Sequence, residues 1–274
     1  MTSLVLTKHH ALGNDFLVTF HPGTADDRQL AALTRKVCDR RRGVGADGLL
    51  IGESAADHSA QMALFNADGS RAEMSGNGIR CFAQALGLRR GDVLPKSMSI
   101  LTDAGPRAVD LAPTEDPDTI LATVDMGQVV DLDDVPLPSG WAEIGAHPDR
   151  PVAHLGVGNP HIVVGVEDVT AVDLTAIGSV LPDVNVEVVA PGPGHDAITM
   201  RVHERGVGLT EACGTGACAA AVAAARWGFV PDGAEVVVHM PGGRANVMLD
   251  QPAPGRVTLT GPATYVATIE IHLP

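Results

Sequence analysis

The sequence predicts a mixed α/β (α+β) fold in two pseudo-symmetric halves, and three features predict it. Stretches rich in Val, Ile and Thr, broken by glycine turns, recur throughout with few helical patterns between them. Two of those helical patterns open on one frame: residues 73–81 read EMSGNGIRC and residues 211–219 read EACGTGACA. The matching positions, Ser75 and Cys213, are separated by close to half the chain. Each half is therefore read as mostly antiparallel strands around one apolar helix entered through Gly-x-Gly. A duplication of this kind creates a cleft between the halves, where ligands favour binding.

The elements follow in order. LVLTKHHALGNDFLVTF reads as strand, turn, strand. DDRQLAALTRKVCDRR sets Leu30, Leu33 and Val37 at helical spacing, with acidic residues early and basic ones late, as the helix dipole favours. MALFNADGSRAEM is a hairpin turning at Asp68-Gly69. SGNGIRCFAQALGL reads as a helix closed by Gly87, and strands follow near 98–103, 107–112 and 119–126. Proline- and aspartate-rich 130–151 predicts a long surface connection. Beyond it the pattern recurs. PVAHLGVGNPHIVVGV gives strands around a glycine loop, VTAVDLTAIGSVL a helix and HDAITMRVHERGVGL a strand. CGTGACAAAVAAARWGF is the second glycine-entered helix, and AEVVVHMPGGRANVMLD and RVTLTGPATYVATIEIHLP end the chain as strands.

Bulk properties limit the partners. A formal charge of −14 argues against nucleic acid and against an anionic membrane surface. The longest apolar run, ACAAAVAAARW, is too short to span a bilayer, and no export signal opens the chain. Cys38, Cys81, Cys213 and Cys218 lack Cys-x-x-Cys spacing, so all four are expected as free thiols of a cytoplasmic protein. No metal cluster, nucleotide fingerprint or pyridoxal-type lysine site stands out, so no cofactor is expected.

The glycine-entered helices carry the chemistry. A helix N-terminus offers unpaired N–H groups and partial positive charge, and glycines let a carboxylate approach them closely. A cysteine there is expected to have its pKa lowered from about 8.5 towards neutrality and to act as acid or base. Two such elements would hold one carboxylate between acid–base groups on opposite faces of its α-carbon, which suits stereoinversion. Cys38, Cys81 and Cys218 read instead as small buried hydrophobes. Taken alone, His161 is an ordinary loop or core residue and Glu204–Arg205 a surface ion pair. Asn14, Asn66, Asn159 and Asn185 sit where turns favour asparagine.

The strings KHHALGNDF, RRGVGADGLL, FNADGSRAEMSGNGIRC, VGNPHIVV, PDVNVEVV and VHERGVGLTEACGTGACA, in this order, resemble diaminopimelate epimerase nearly end to end. That family is a cofactor-independent, two-cysteine branch of the amino-acid racemases. The resemblance implies a first domain of residues 1–118 plus 264–274 and a second of 119–263, closing over a small-molecule substrate; the acidic surface and the many strands allow a homodimer, which is the expected state. It implies Cys213 as one acid–base residue assisted by Glu204, and His161 assisting the residue at position 75. Gly76, Asn77, Gly214 and Thr215 are implied at the reacting α-carboxylate and amino group. Asn14, Asn66, Asn159, Asn185, Glu204 and Arg205 are implied at the distal end, where Arg205 suits a bidentate grip on a carboxylate. The departure is Ser75, where the family carries cysteine. A hydroxyl is a far weaker acid than a thiol, and a helix dipole worth about 1 kcal/mol does not close that gap. Three readings stay open: an introduced substitution that disables the enzyme, a natural site in which serine and cysteine share the inversion, or loss of inversion that leaves one-sided exchange from Cys213 or binding alone. A racemase of other substrate range is a further alternative. A hydrolase triad built on Ser75 would leave Cys213 unexplained, and MSGNG is not a nucleophile elbow.

Overall fold

The chain divides into two units, Met1–Val124 with Gly261–Pro274, and Asp125–Thr260. The computed structural model describes residues 2–20, 26–135, 151–233 and 235–273. In the first unit, β1 (Thr2–Ala11) and β2 (Asn14–Thr19) flank a turn in which Leu12 and Gly13 both have positive φ. Helix α1 (Asp27–Cys38) starts at a capping box: Asp26 accepts from Gln29 N, and the Gln29 side chain accepts from Asp26 N. Strands β3 (Gly48–Glu53), β4 (Ala60–Asn66) and β5 (Arg71–Ala72) lead to α2 (Gly76–Arg90). Then come β6 (Lys96–Thr102), β7 (Gly105–Pro113) and β8 (Thr119–Gln128). Gly87 does not end α2. The helix continues through Leu88, Arg89 and Arg90, all good helix formers, and Gly91 at φ 67° closes it with a bond to Gly87 O.

The second unit begins with β9 (Val130–Asp131), β10 (Val152–Gly156) and β11 (Pro160–Gly165). Helix α3 (Leu174–Val180), β12 (Asn185–Pro191), β13 (Ala197–Glu204), β14 (Gly208–Thr210) and α4 (Gly214–Arg226) follow. Strands β15 (Glu235–Met240), β16 (Gly243–Leu249) and the first residues of the long β17 (Arg256–Leu273) complete it, and from Gly261 onward β17 belongs to the first unit. Three expectations need correction. The helix expected over 169–181 is split, because Asp168 caps a short 3-10 turn and Asp173 then caps α3 anew. The single strand expected over 195–209 is a hairpin, because Gly206 in the turn and Gly208 at the start of β14 take positive φ. The connection expected over 130–151 opens as strand, since β9 pairs with β10; its residues 136–150 lie outside the described residues.

Both units use one plan. In the first, β1 and β2 are antiparallel, β2 and β3 parallel, β3 and β4 antiparallel, and β4 pairs β5 antiparallel and β6 parallel. β6, β7 and β8 then run antiparallel, and β17 pairs with both β8 and β1, so the strands close around α2. In the second, β10 to β17 repeat the same sequence of antiparallel and parallel pairings around α4. Each central helix is buried along its N-terminal part, continuously from Gly76 to Gly87 and from Gly214 to Ala221. The outer faces of the same strands pack on α1 through Leu17, Leu49 and Ile51, and on α3 through Ile162, Val186 and Val188. Strands β3 and β12 are thus covered on both faces; β3 reads as an apolar run from Gly48 to Gly52, whereas β12 carries Asn185 and Glu187 among its apolar residues. No described helix is long and apolar enough to cross a membrane.

His9 ties β1 to α2. Its Nδ1 lies 2.8 Å from Gln84 Oε1, its Nε2 lies 3.0 Å from Thr7 Oγ1, and its ring meets Tyr265 edge-on. Burial pushes the imidazole down to about 4; the Gln84 bond opposes the shift and His10 adds to it. Between that value and 6.5 the unfolded chain binds the extra proton, so stability rises with pH there. The contribution is complete above pH 6.5 and is lost as pH falls through about 4. Urea unfolding should therefore lose on the order of 2 kcal/mol from this group between pH 7 and 5, and His9→Gln should remove that part of the slope. An unchanged slope in the variant would show that His9 is not the group responsible.

Candidate active site

In the first unit, Ser75 is the N-cap of α2. Extended backbone (φ −140°, ψ 123°) aims its Oγ back into the first turn, where it accepts from Gly78 N at 3.0 Å. Gly76 and Asn77 follow, both buried. Asn77 Nδ2 donates to Asn14 Oδ1 at 3.2 Å, and Asn14 Nδ2 donates to Asp47 Oδ2 at 2.8 Å. Arg80, fully buried one turn along α2, donates to Asn77 Oδ1 at 2.6 Å. The structure therefore joins Asn14 to Asn77 and anchors both on charged groups. Asp47 is itself fixed by Arg40, which also grips Asp15. Asn66 has a different duty, donating to Ser70 Oγ at 3.0 Å across the β4–β5 turn.

In the second unit, Cys213 repeats the geometry. It is the N-cap of α4 with φ −129° and ψ 118°, and its Sγ accepts from Gly216 N at 3.3 Å beside Thr215 Oγ1 at 3.4 Å. Glu204 ends β13 and accepts from Thr210 Oγ1 at 2.5 Å. Asn185 braces the neighbouring backbone, accepting from Arg205 N at 2.9 Å and donating to Pro160 O at 3.0 Å. His161 is buried, with Nε2 at 2.9 Å from Asn159 Oδ1 and Nδ1 at 2.7 Å from Glu187 Oε1.

The lowered thiol pKa expected for Cys213 is overturned. Burial raises it well above its ordinary value, and the carboxylates of Glu204 and Glu187 raise it further. The hydrogen bonds from Thr215 and Gly216 act the other way and are outweighed. A dipole contribution of about 1 kcal/mol cannot match full desolvation beside two negative charges. The resting group is therefore a protonated thiol, poised as an acid. Cys38 and Cys81 are also buried, and burial pushes each up to about 12, in keeping with inert core thiols.

Two site residues escaped the sequence reading. Asp47 holds Asn14, and Glu187 holds His161. The signal for Glu187 was a lone carboxylate inside the apolar run Val186, Val188, Val189, since an ionised group is costly there without a partner. Among the described residues, no cluster of three His, Cys, Asp or Glu side chains is placed to hold a metal ion.

Two stretches that include both capped helices, residues 6–132 and 154–266, match the family model of diaminopimelate epimerase. The chain belongs to the diaminopimelate epimerase family. Its relatives include the diaminopimelate epimerase of Rhizorhabdus wittichii, 40% identical over 97% of this chain and 94% of that protein. The diaminopimelate epimerase of Streptomyces coelicolor is 39% identical, again over 97% and 94%. Solved structures with the same fold include a PhzF-family phenazine biosynthesis protein of Bacillus anthracis, with TM-score 0.77, 15% identity and all of both chains covered. A hydroxyproline epimerase from Agrobacterium vitis aligns with TM-score 0.75 and 17% identity over 99% of this chain and 93% of that one. Membership of the diaminopimelate epimerase family makes the chain an isomerase of the α/β type described above.

Proposed function

We propose that the chain epimerises diaminopimelate, interconverting the LL and meso forms by two-base α-proton transfer without a cofactor. One observation carries this reading: the side chains at positions 75 and 213 cap equivalent glycine-entered helices of a duplicated fold. Each helix start offers backbone N–H groups and positive dipole to an α-carboxylate. Gly76, Asn77, Gly214 and Thr215 hold that carboxylate and the amino group. Cys213, protonated at rest, delivers or removes the α-proton on one face with Glu204 assisting. His161 assists position 75 on the other face, where Ser75 makes transfer slow. The distal end is read by Asn14, Asn66, Asn159, Asn185, Glu204 and Arg205, with Arg205 on the distal carboxylate. A homodimer in the cytoplasm goes with this reading, and the net charge of −14 suits a soluble enzyme without nucleic-acid or membrane partners.

Incubation in D₂O with LL- and meso-diaminopimelate separately tests it, following α-deuterium and configuration together. Deuterium with inversion is the expected result, at a rate well below that of a two-thiol enzyme. Exchange with retention, or with one isomer only, would mean that Cys213 works alone. Binding without exchange would sink the catalytic reading.

A further inference from the structure

Residues His161 and Glu187 have counterparts in the first unit, and the counterparts are not polar. The parallel pair β2–β3 sets Phe16 opposite Gly48, and the equivalent pair β11–β12 sets His161 opposite Asn185. Two residues along, Leu50 of β3 corresponds to Glu187 of β12. The glycines confirm the match: a Cβ on Gly78 would meet Leu50 Cδ2 at 3.4 Å, and one on Gly216 would meet Glu187 Oε1 at 2.5 Å. One fold therefore builds the same place twice, once from Phe16 and Leu50 and once from His161 and Glu187. All four are buried, His161 and Glu187 at 1% and 0% exposure.

The fold itself does not need the polar pair, because the first unit closes over phenyl and isobutyl groups. Burying a carboxylate and an imidazole costs more than burying those, and a hydrophobic replacement is often neutral or stabilising. Glu187 is also incompletely satisfied: Oε1 faces His161 Nδ1 at 2.7 Å, while Oε2 has no hydrogen-bond partner among the described residues. An anion held at that cost against the first turn of α4, under the Cys213 cap, points to proton chemistry.

We propose that Glu187 is a positioning residue: it holds the proton on His161 Nδ1 and so commits Nε2 to proton exchange. This rests on the reading of His161 as an acid–base group. The contacts suit the role. When the ring carries both protons, Nδ1–H donates to Glu187 and Nε2–H donates to Asn159 Oδ1, the atom placed 2.9 Å away. When the Nε2 proton leaves, the Nδ1 proton stays on the ring, still donated to Glu187, which keeps its charge. The neutral ring then presents a lone pair at Nε2, which a turned Asn159 amide satisfies. The proton moves only between Nε2 and its exchange partner, and Glu187 never takes it.

Nitrogen-15 NMR of the histidine ring and steady-state exchange test this together on the full chain. In the starting protein His161 should show a low-field Nδ1 proton, identified by its loss in His161→Asn. In Glu187→Gln that proton should move upfield, and kcat for α-deuterium uptake from diaminopimelate should fall about 10–100-fold with KM little changed. The double variant His161→Phe with Glu187→Leu, which copies the first unit, should fold with an equal or higher Tm and show no assisted exchange. A low-field proton that persists in Glu187→Gln, or an unchanged kcat, overturns the proposal. So does an effect confined to KM. If the starting protein takes up no deuterium at all, the catalytic reading fails, and the ring NMR alone still decides whether Glu187 sets the tautomer.

Discussion

Ser75→Cys should raise the rate of LL-to-meso conversion by about 10²–10⁴-fold, the range that a properly placed acid–base group contributes. The backbone is already set for it. Cys213 occupies the equivalent N-cap in the same extended conformation (φ −129°, ψ 118° against φ −140°, ψ 123° at Ser75), so a thiol at position 75 needs no rearrangement of the helix start. Its cost falls on stability. The Ser75 hydroxyl accepts from Gly78 N at 3.0 Å, whereas the longer Cys213 contact to Gly216 N is 3.3 Å. Serine is a strong N-cap, so the thiol variant should lose on the order of 0.5–1 kcal/mol in urea unfolding while gaining activity. Opposite signs in the two measurements would identify serine as a residue that favours the fold over the chemistry. A folded variant with no kinetic gain would remove the two-thiol account of the site.

The converse substitution should be nearly as large in the other direction. Cys213→Ser installs the cap that the first unit already tolerates, so the protein should fold with an equal or higher Tm. Exchange of the α-proton should nevertheless drop by at least about a hundredfold, because the only thiol at either cap is gone. The buried site then holds a hydroxyl beside Glu204 and Glu187, whose charges already oppose ionisation of the thiol. Retained exchange would move the base elsewhere, with His161 the first place to look. Measuring the two serine–cysteine exchanges side by side separates capping from catalysis, since capping predicts mirror-image Tm changes and catalysis predicts mirror-image rates.

Much of this architecture is visible in the sequence, for reasons that are local. The capping residues Asp26, Ser75 and Cys213 and the Asp68-Gly69 turn act within four residues of themselves. They mark their elements before any packing is known. Gly87 misled because a glycine inside a helix and one beyond its end read alike; only Gly91 takes the left-handed conformation. Asp173 misled because the run around it is helical in pattern, while its side chain competes for Ala176 N and restarts the helix. The site was legible where motifs carried it and illegible where tertiary pairing did. His161 meets Glu187 only through the parallel register of β11 and β12, and Asn14 meets Asn77 only because α2 is enclosed by its own strands. The direction of the Cys213 shift was missed for the same reason: burial of the thiol, and after it the charges of Glu204 and Glu187, arise only from the folded packing around α4.

Strand β17 has a consequence for the order in which the molecule is assembled. Its far end pairs with β1 from Thr2↔Leu273 to His10↔Thr264, so the first residues of the chain bond to nearly the last. Asp125–Thr260 is one continuous segment, whereas the other unit must join its first 124 residues to a segment beginning at Gly261. On the ribosome the unit begun first is thus the one completed last. Until the final strand is released, β1 carries an unpaired edge with Leu4 and Leu6 uncovered, open to other chains. The Gly214 helix and its thiol can already be sheathed in their own strands by then. A slow or interrupted translation would yield a chain with its acid in place and its N-terminal unit unfinished.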